Sequence, residues 1–242
     1  MSATPTTSAS PAALVMGATG AVGKALIREL LADSPPAYSK VTAIVRKELD
    51  YDGPNRDRLV QKIVDFENLE KDKDVFAGHD TMYCTFGTTK AAAGSAAAFE
   101  KIDRDYVLSA AKLFHTANTD TATTQRPLQF LYCSSGGANA RSWFLYMRVK
   151  GEIEEAVKNM RFNRVGIFRP AFLVVEESRG GQKRVAESLL RPVMDNGVAR
   201  WMGLATPVGA VARAMKTWAL KANAASGNET LEHKDIMAAS GL

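Results

Sequence analysis

Cysteine is scarce in this chain, with two among 242 residues, Cys84 and Cys133, each inside a short apolar run. A disulfide framework is therefore excluded as the source of stability, and both read as buried free thiols of a reducing compartment. Histidine is almost as rare. His79, His115 and His233 show no ligand spacing with each other or with the cysteines, so no metal centre is expected. No apolar run approaches the ~20 residues that span a bilayer. Charge of one sign is not concentrated either: the net +5 is scattered along the chain. That argues against a nucleic-acid face and leaves room for a pocket that takes a polyanionic ligand. The opening segment MSATPTTSASPAA has no basic region, no apolar stretch and no arginine. It is neither a secretory signal nor a presequence. Residues 1–12 are expected to be a disordered tail, the remainder (13–242) one domain, and the protein cytoplasmic.

What is present is alternation. Short β-branched apolar runs exchange with longer amphipathic stretches, the pattern of an α/β fold with helices on both faces of a parallel sheet. Strands are expected at Ala13–Met16, Lys40–Val45, Leu59–Val64, Thr81–Thr85, Pro127–Cys133 and Arg164–Phe168. Helices are expected at Val22–Ala32, Phe99–Ala117, Tyr146–Met160, Arg184–Met194 and Val208–Ala224, with a charged loop at Glu176–Gln182. The stretch from about residue 175 to 205 is expected to cap a substrate, with Leu189, Leu190, Met194 and Trp201 as an apolar lid.

The first strand runs into Gly17-Ala-Thr-Gly-Ala-Val-Gly23. Glycine is needed where a strand turns sharply, where backbone must approach a pyrophosphate, and where a helix packs close to a sheet. With a strand before it and an amphipathic helix after it, this turn points to a Rossmann-type dinucleotide site, the phosphates resting on the helix N-terminus. The second strand ends in Arg46-Lys47, where NAD sites usually carry Asp or Glu. Arginine can hold a 2′-phosphate bidentately, so NADPH is preferred over NADH.

The fifth strand ends in Ser134-Ser135, and Tyr146 and Lys150 follow four residues apart on one helix face. An ammonium beside a phenol favours phenolate, letting Tyr146 exchange a proton near neutral pH. Either serine could hold a substrate oxygen, and Ser135 is preferred. Trp143 and Phe144 fit a pocket wall and core packing equally well.

Together these segments make the chain similar to the atypical short-chain dehydrogenase/reductases. More closely, it is similar to the HIV Tat-interacting oxidoreductase-like group and its fungal mitochondrial relatives. The likeness extends through Ser39–Arg46, Val64–Phe66, Gly78–Asp80, Phe86–Thr89, Asp103–Val107, Phe144–Glu152 and Phe168–Pro170. It implies a doubly wound Rossmann sheet holding NADPH. Gly17, Thr19, Gly20, Ala21, Val22 and Gly23 would form the pyrophosphate turn, and Arg46 and Lys47 would take the 2′-phosphate. Asp65 would lie near the adenine, Phe86 and Gly87 along the cofactor, and Leu173 and Arg179 toward the nicotinamide or diphosphate. Tyr146 would protonate a small carbonyl substrate, aided by Lys150 and Ser135. Two features depart from the family pattern. Ser134 and Ser135 precede Tyr146 by 12 and 11 residues, closer than is usual. The assisting asparagine on the helix after strand four has no match, Ile102–Asp105 standing there. The resemblance also allows a cofactor-binding regulator that acts through protein partners, and a place on the mitochondrial outer surface. Monomer and dimer both remain open.

Overall fold

The computed structural model describes residues 11–119, 126–175, 205–221 and 225–241. Among them run strands β1 Ala12–Met16, β2 Lys40–Val45, β3 Leu59–Ile63, β4 Thr81–Cys84, β5 Gln129–Cys133, β6 Arg164–Arg169, β7 Phe172–Val174, β8 Ala205–Pro207 and β9 Gly227–Glu232. Seven form one sheet in the order β3-β2-β1-β4-β5-β6-β9, and every neighbouring pair is parallel. The helices are α1 Ala21–Leu31, α2 Lys90–Ala93, α3 Ala96–Glu100, α4 Tyr106–Thr119, α5 Leu145–Lys158, α6 Val208–Leu220 and α7 His233–Ala239.

Buried parallel strands need apolar residues on both faces, and all five residues of β1 are buried. Their side chains alternate between two cores. Ala13 and Val15 meet α1, α6 and α7, whereas Leu14 and Met16 meet α4 and α5. Each fully buried aliphatic side chain in these layers contributes about 1.5–3 kcal/mol. After β3 the chain returns to the other side of β1 to add β4. The sheet order thus reverses between β1 and β4, and the crevice at their carboxyl ends is where a ligand binds in this architecture.

Several boundaries move from the sequence expectation. β1 starts at Ala12 rather than Ala13; residues 1–10, where the tail is expected, lie outside the described ones. β5 starts at Gln129 rather than Pro127, because proline cannot donate to a ladder. The helix expected from Phe99 begins at Ala96, passes through a π-turn at Lys101–Asp105 and runs on to Thr119. α6 stops at Leu220, short of Ala224. β9 and α7 add to the sequence reading. So does the two-stranded β7–β8 pair, which joins the ends of the 176–204 stretch. That stretch, with the expected helix Arg184–Met194 and the lid residues Leu189, Leu190, Met194 and Trp201, lies outside the described residues.

Candidate active site

The three glycines of the turn do different work. Gly17 has φ +92°, and a Cβ there would sit 2.6 Å from the backbone nitrogen of Phe86, so the turn lies directly against the exit of β4. A Cβ on Gly23 would lie 2.1 Å from the Gly17 carbonyl oxygen, so glycine is what lets α1 pack onto the turn. Gly20 is exposed and would meet only the Gly17 oxygen, at 3.4 Å. The space over it is open for a phosphate. Gly20 is also the N-cap of α1, offers no capping side chain, and is followed by no acidic residue in the first turn. The first N–H groups of α1 and its positive dipole end are thus left for an anion. Thr19 and Ala21 are exposed beside Gly20, while Val22 points into the core.

Arg46 and Lys47 follow β2 and are exposed. Other arginines nearby are engaged: Arg28 pairs with Asp52 and Arg58 donates to the Leu31 carbonyl. Arg46 and Lys47 make no ion pair or side-chain hydrogen bond among the described residues, so their donors are available to a phosphate. Asp65, after β3, is exposed, and its Oδ1 accepts the Glu67 N–H at 3.0 Å. Phe86 stacks on Phe66 at 5.2 Å, and Tyr106 lies 6.0 Å from Phe66. This aromatic cluster stands between the exits of β3 and β4. Phe66 and Tyr106 were not among the residues singled out as site candidates. Leu173, on β7, is half-buried against the core on the α1 and α6 side. Arg179 lies outside the described residues.

Tyr146 and Lys150 stand one turn apart on α5. Tyr146 is 40% exposed, its ring 6.0 Å from Phe99 and 5.8 Å from Lys150 Nζ. Lys150 is buried; its Nζ donates to Tyr132 Oη at 3.1 Å and lies 3.1 Å from Asp103 Oδ2. Burial disfavours the Lys150 charge, yet Tyr132, Tyr146 and Asp103 outweigh it and hold its pKa well above the usual lysine value. Burial drives the Tyr132 phenol strongly upward even against the pull of Lys150. It therefore stays a neutral hydroxyl. Gly87 is exposed, and a Cβ on it would lie 3.1 Å from Lys150 Nζ and 3.3 Å from Asp103 Oδ2. Bare backbone thus passes over the buried pair.

The two serines separate. Ser134 Oγ donates to Glu154 Oε1 at 2.6 Å, and Glu154 also accepts from Arg169. Ser135 Oγ is buried with no hydrogen-bond partner. An unspent buried hydroxyl is costly unless something else uses it. Trp143 is 97% and Phe144 77% exposed, so neither packs in the core. Asp103, in the Ile102–Asp105 stretch, is not among the site residues that the sequence points to. Its signal was available: Phe99, Asp103 and Val107 recur every four residues on a helical stretch, and all three are buried.

Residues 17–202 match the NAD(P)H-binding family. Rat protein HTATIP2 is 36% identical over 224 residues, spanning 92% of this chain and 86% of the rat protein. Protein FMP52-1, mitochondrial, of Scheffersomyces stipitis is 34% identical over 183 residues, 74% of this chain and 71% of the yeast protein. Among solved structures, an epimerase of Methanothermobacter thermautotrophicus superposes with TM-score 0.64 at 15% identity, covering 92% of this chain and 71% of that one. A 3-oxoacyl-[acyl-carrier protein] reductase of Brucella melitensis does so with TM-score 0.64 at 12% identity, covering 94% and 97%. Those two likenesses concern the fold alone. With the family match spanning the glycine turn, β2 to β6 and the Tyr146–Lys150 helix, this chain belongs to the NAD(P)H-binding family and is similar to HTATIP2 and the fungal FMP52 proteins.

Proposed function

We propose that this protein is an NADPH-dependent oxidoreductase that reduces a carbonyl compound, with Tyr146 as proton donor. The observation that carries this reading is the half-exposed Tyr146 phenol one helical turn from a buried, cationic Lys150. A protein that only bound the dinucleotide would need neither. The open space over Gly20, the uncapped start of α1 and the unengaged Arg46 and Lys47 fit a dinucleotide bearing a 2′-phosphate.

The cofactor, when bound, supplies a hydride to the carbonyl carbon. Tyr146 gives its phenolic proton to the carbonyl oxygen as charge develops there. The free Ser135 hydroxyl donates a hydrogen bond to the same oxygen. Lys150 favours the phenolate that Tyr146 becomes. Arg46 and Lys47 supply charge-assisted hydrogen bonds to the 2′-phosphate.

NADPH oxidation across a panel of aldehydes and ketones tests the reaction. Tyr146→Phe should lower kcat about 10²–10⁴-fold, and an unchanged rate overturns the assignment. Arg46→Ala should weaken NADPH binding by about 1–3 kcal/mol and barely change NADH binding. Equal losses for the two cofactors reject the 2′-phosphate role. For location, the mitochondrial naming of the fungal relatives supports an association with mitochondria. No helix among the described residues is long and apolar enough to cross a membrane.

A further inference from the structure

Asp103 is fully buried. It sits in the π-turn Lys101–Asp105, between α3 and α4, and such wide turns are often found at functional sites. Its Oδ1 accepts the backbone N–H of Thr88 at 2.6 Å. Its Oδ2 is buried, has no hydrogen bond, and stands 3.1 Å from Lys150 Nζ. What compensates that oxygen is the charge on Lys150.

The lysine stands in the reciprocal position. Its side chain is 5% exposed, so the ammonium has lost its water. The groups facing it are Tyr132 and Cys133 on β5, Cys84 on β4, Asp103 on the π-turn and Tyr146 on its own helix. Burial pushes the Cys84 thiol up to about 12 and the Cys133 thiol up to about 11, and Tyr132 is raised as well. None of these three is an anion near neutral pH. Among the described residues Asp103 is the one carboxylate within ion-pair distance of Lys150. A buried charge persists only when it is paired.

We propose that Asp103 is a positioning residue, the buried counter-ion that keeps Lys150 a cation and fixes its Nζ between Tyr132 and the Tyr146 ring. The purpose of this pairing rests on the reading of Tyr146 and Lys150 given above; the pairing does not. It lies in the stretch Ile102–Asp105, where the asparagine implied by the resemblance has no match, and its chemistry differs from that of an asparagine. An asparagine brings a dipole to that place, whereas Asp103 brings a full negative charge.

The test uses the full chain without cofactor, its lysines carrying 13C at Cε, with the Lys150 signal assigned by its loss in Lys150→Met. In the unsubstituted protein Lys150 should not titrate below about pH 10. Asp103→Asn keeps the shape and the Thr88 hydrogen bond but removes the charge. The Lys150 midpoint should then fall by at least about two pH units. A midpoint within about half a unit of the unsubstituted value overturns the proposal. Should Asp103→Asn fail to fold by circular dichroism, Lys150→Met gives the reciprocal measurement. The 13Cγ midpoint of Asp103 should rise when the cation is removed, and an unmoved midpoint overturns the proposal. Neither measurement uses turnover. If the pairing holds while Tyr146→Phe leaves reduction unchanged, the functional reading fails alone. If Tyr146→Phe abolishes reduction while Lys150 titrates unmoved in Asp103→Asn, the counter-ion role fails alone.

Discussion

Successive residues of an extended segment point to opposite sides, and at the end of β5 this gives two adjacent serines different environments. Ser134 serves Glu154, a buried carboxylate. Removing its hydroxyl leaves that charge one donor short, and Ser134→Ala should cost about 1–3 kcal/mol in urea unfolding. Ser135 spends its hydroxyl on no protein group. Ser135→Ala should leave stability within about 0.5 kcal/mol and lower kcat about 10²-fold if it serves the developing oxyanion. Reversal of the two patterns would exchange the roles. The glycines offer a similar contrast. In Gly23→Ala the new methyl meets the Gly17 backbone, which cannot yield, so the fold itself should weaken. In Gly20→Ala the methyl enters open space; thermal unfolding should change little while dinucleotide affinity, read by fluorescence titration, drops.

At the scale of elements, the helix after β4 shows how spacing chooses geometry. Phe99, Asp103 and Val107 step by four, wider than the 3.6 residues of an α-helical turn. The π-turn at Lys101–Asp105 absorbs the excess and keeps all three facing inward. A second device joins three elements at the end of β6. Arg169 reaches Glu154 on α5, Glu232 at the end of β9 and the carbonyl of Ala138. Glu154 is nearly fully buried, so Arg169→Met strands a charge and should cost about 3 kcal/mol by denaturant unfolding. Adding Glu154→Gln should recover part of that loss. An additive double variant would show that the two residues act separately.

Over the whole molecule, pH acts on the end of the sheet opposite the site. His79 is buried before β4, its ring joined to Thr42 Oγ1 on β2 at 2.8 Å and to the Phe76 carbonyl. Burial, with the Lys40 charge second, lowers its pKa to about 4. The unfolded chain takes up this proton near pH 6.5 and the folded chain does not. The stabilisation is therefore whole above pH 6.5 and is lost as pH falls toward 4. It amounts to about 3 kcal/mol. His79→Asn should flatten the acid limb of a stability-against-pH curve by a comparable amount. An unchanged slope would assign acid sensitivity to other groups.

The sequence by itself determined whatever depends on neighbours along the chain. Strands β1, β2, β4, β5 and β6 were legible because a buried parallel strand must be largely apolar, and β3, an edge strand with no buried residue, through its β-branched Val60 and Ile63. The glycine turn was legible because positive φ and close packing admit no other residue, and the Tyr146–Lys150 pair because helical period fixes which residues share a face. Only the tertiary structure decided what depends on distant partners. β9 is an edge strand of sequence Gly-Asn-Glu-Thr-Leu-Glu with Leu231 alone buried, so no hydrophobic pattern announces it. Its place comes from pairing with β6, far off in sequence. That Ser134 spends its hydroxyl on Glu154 while Ser135 keeps its own free of any protein partner follows from where α5 places Glu154. The Asp103–Lys150 pair joins a π-turn to a helix 47 positions later. Burial is what makes that contact matter, because a charge taken out of water needs a partner.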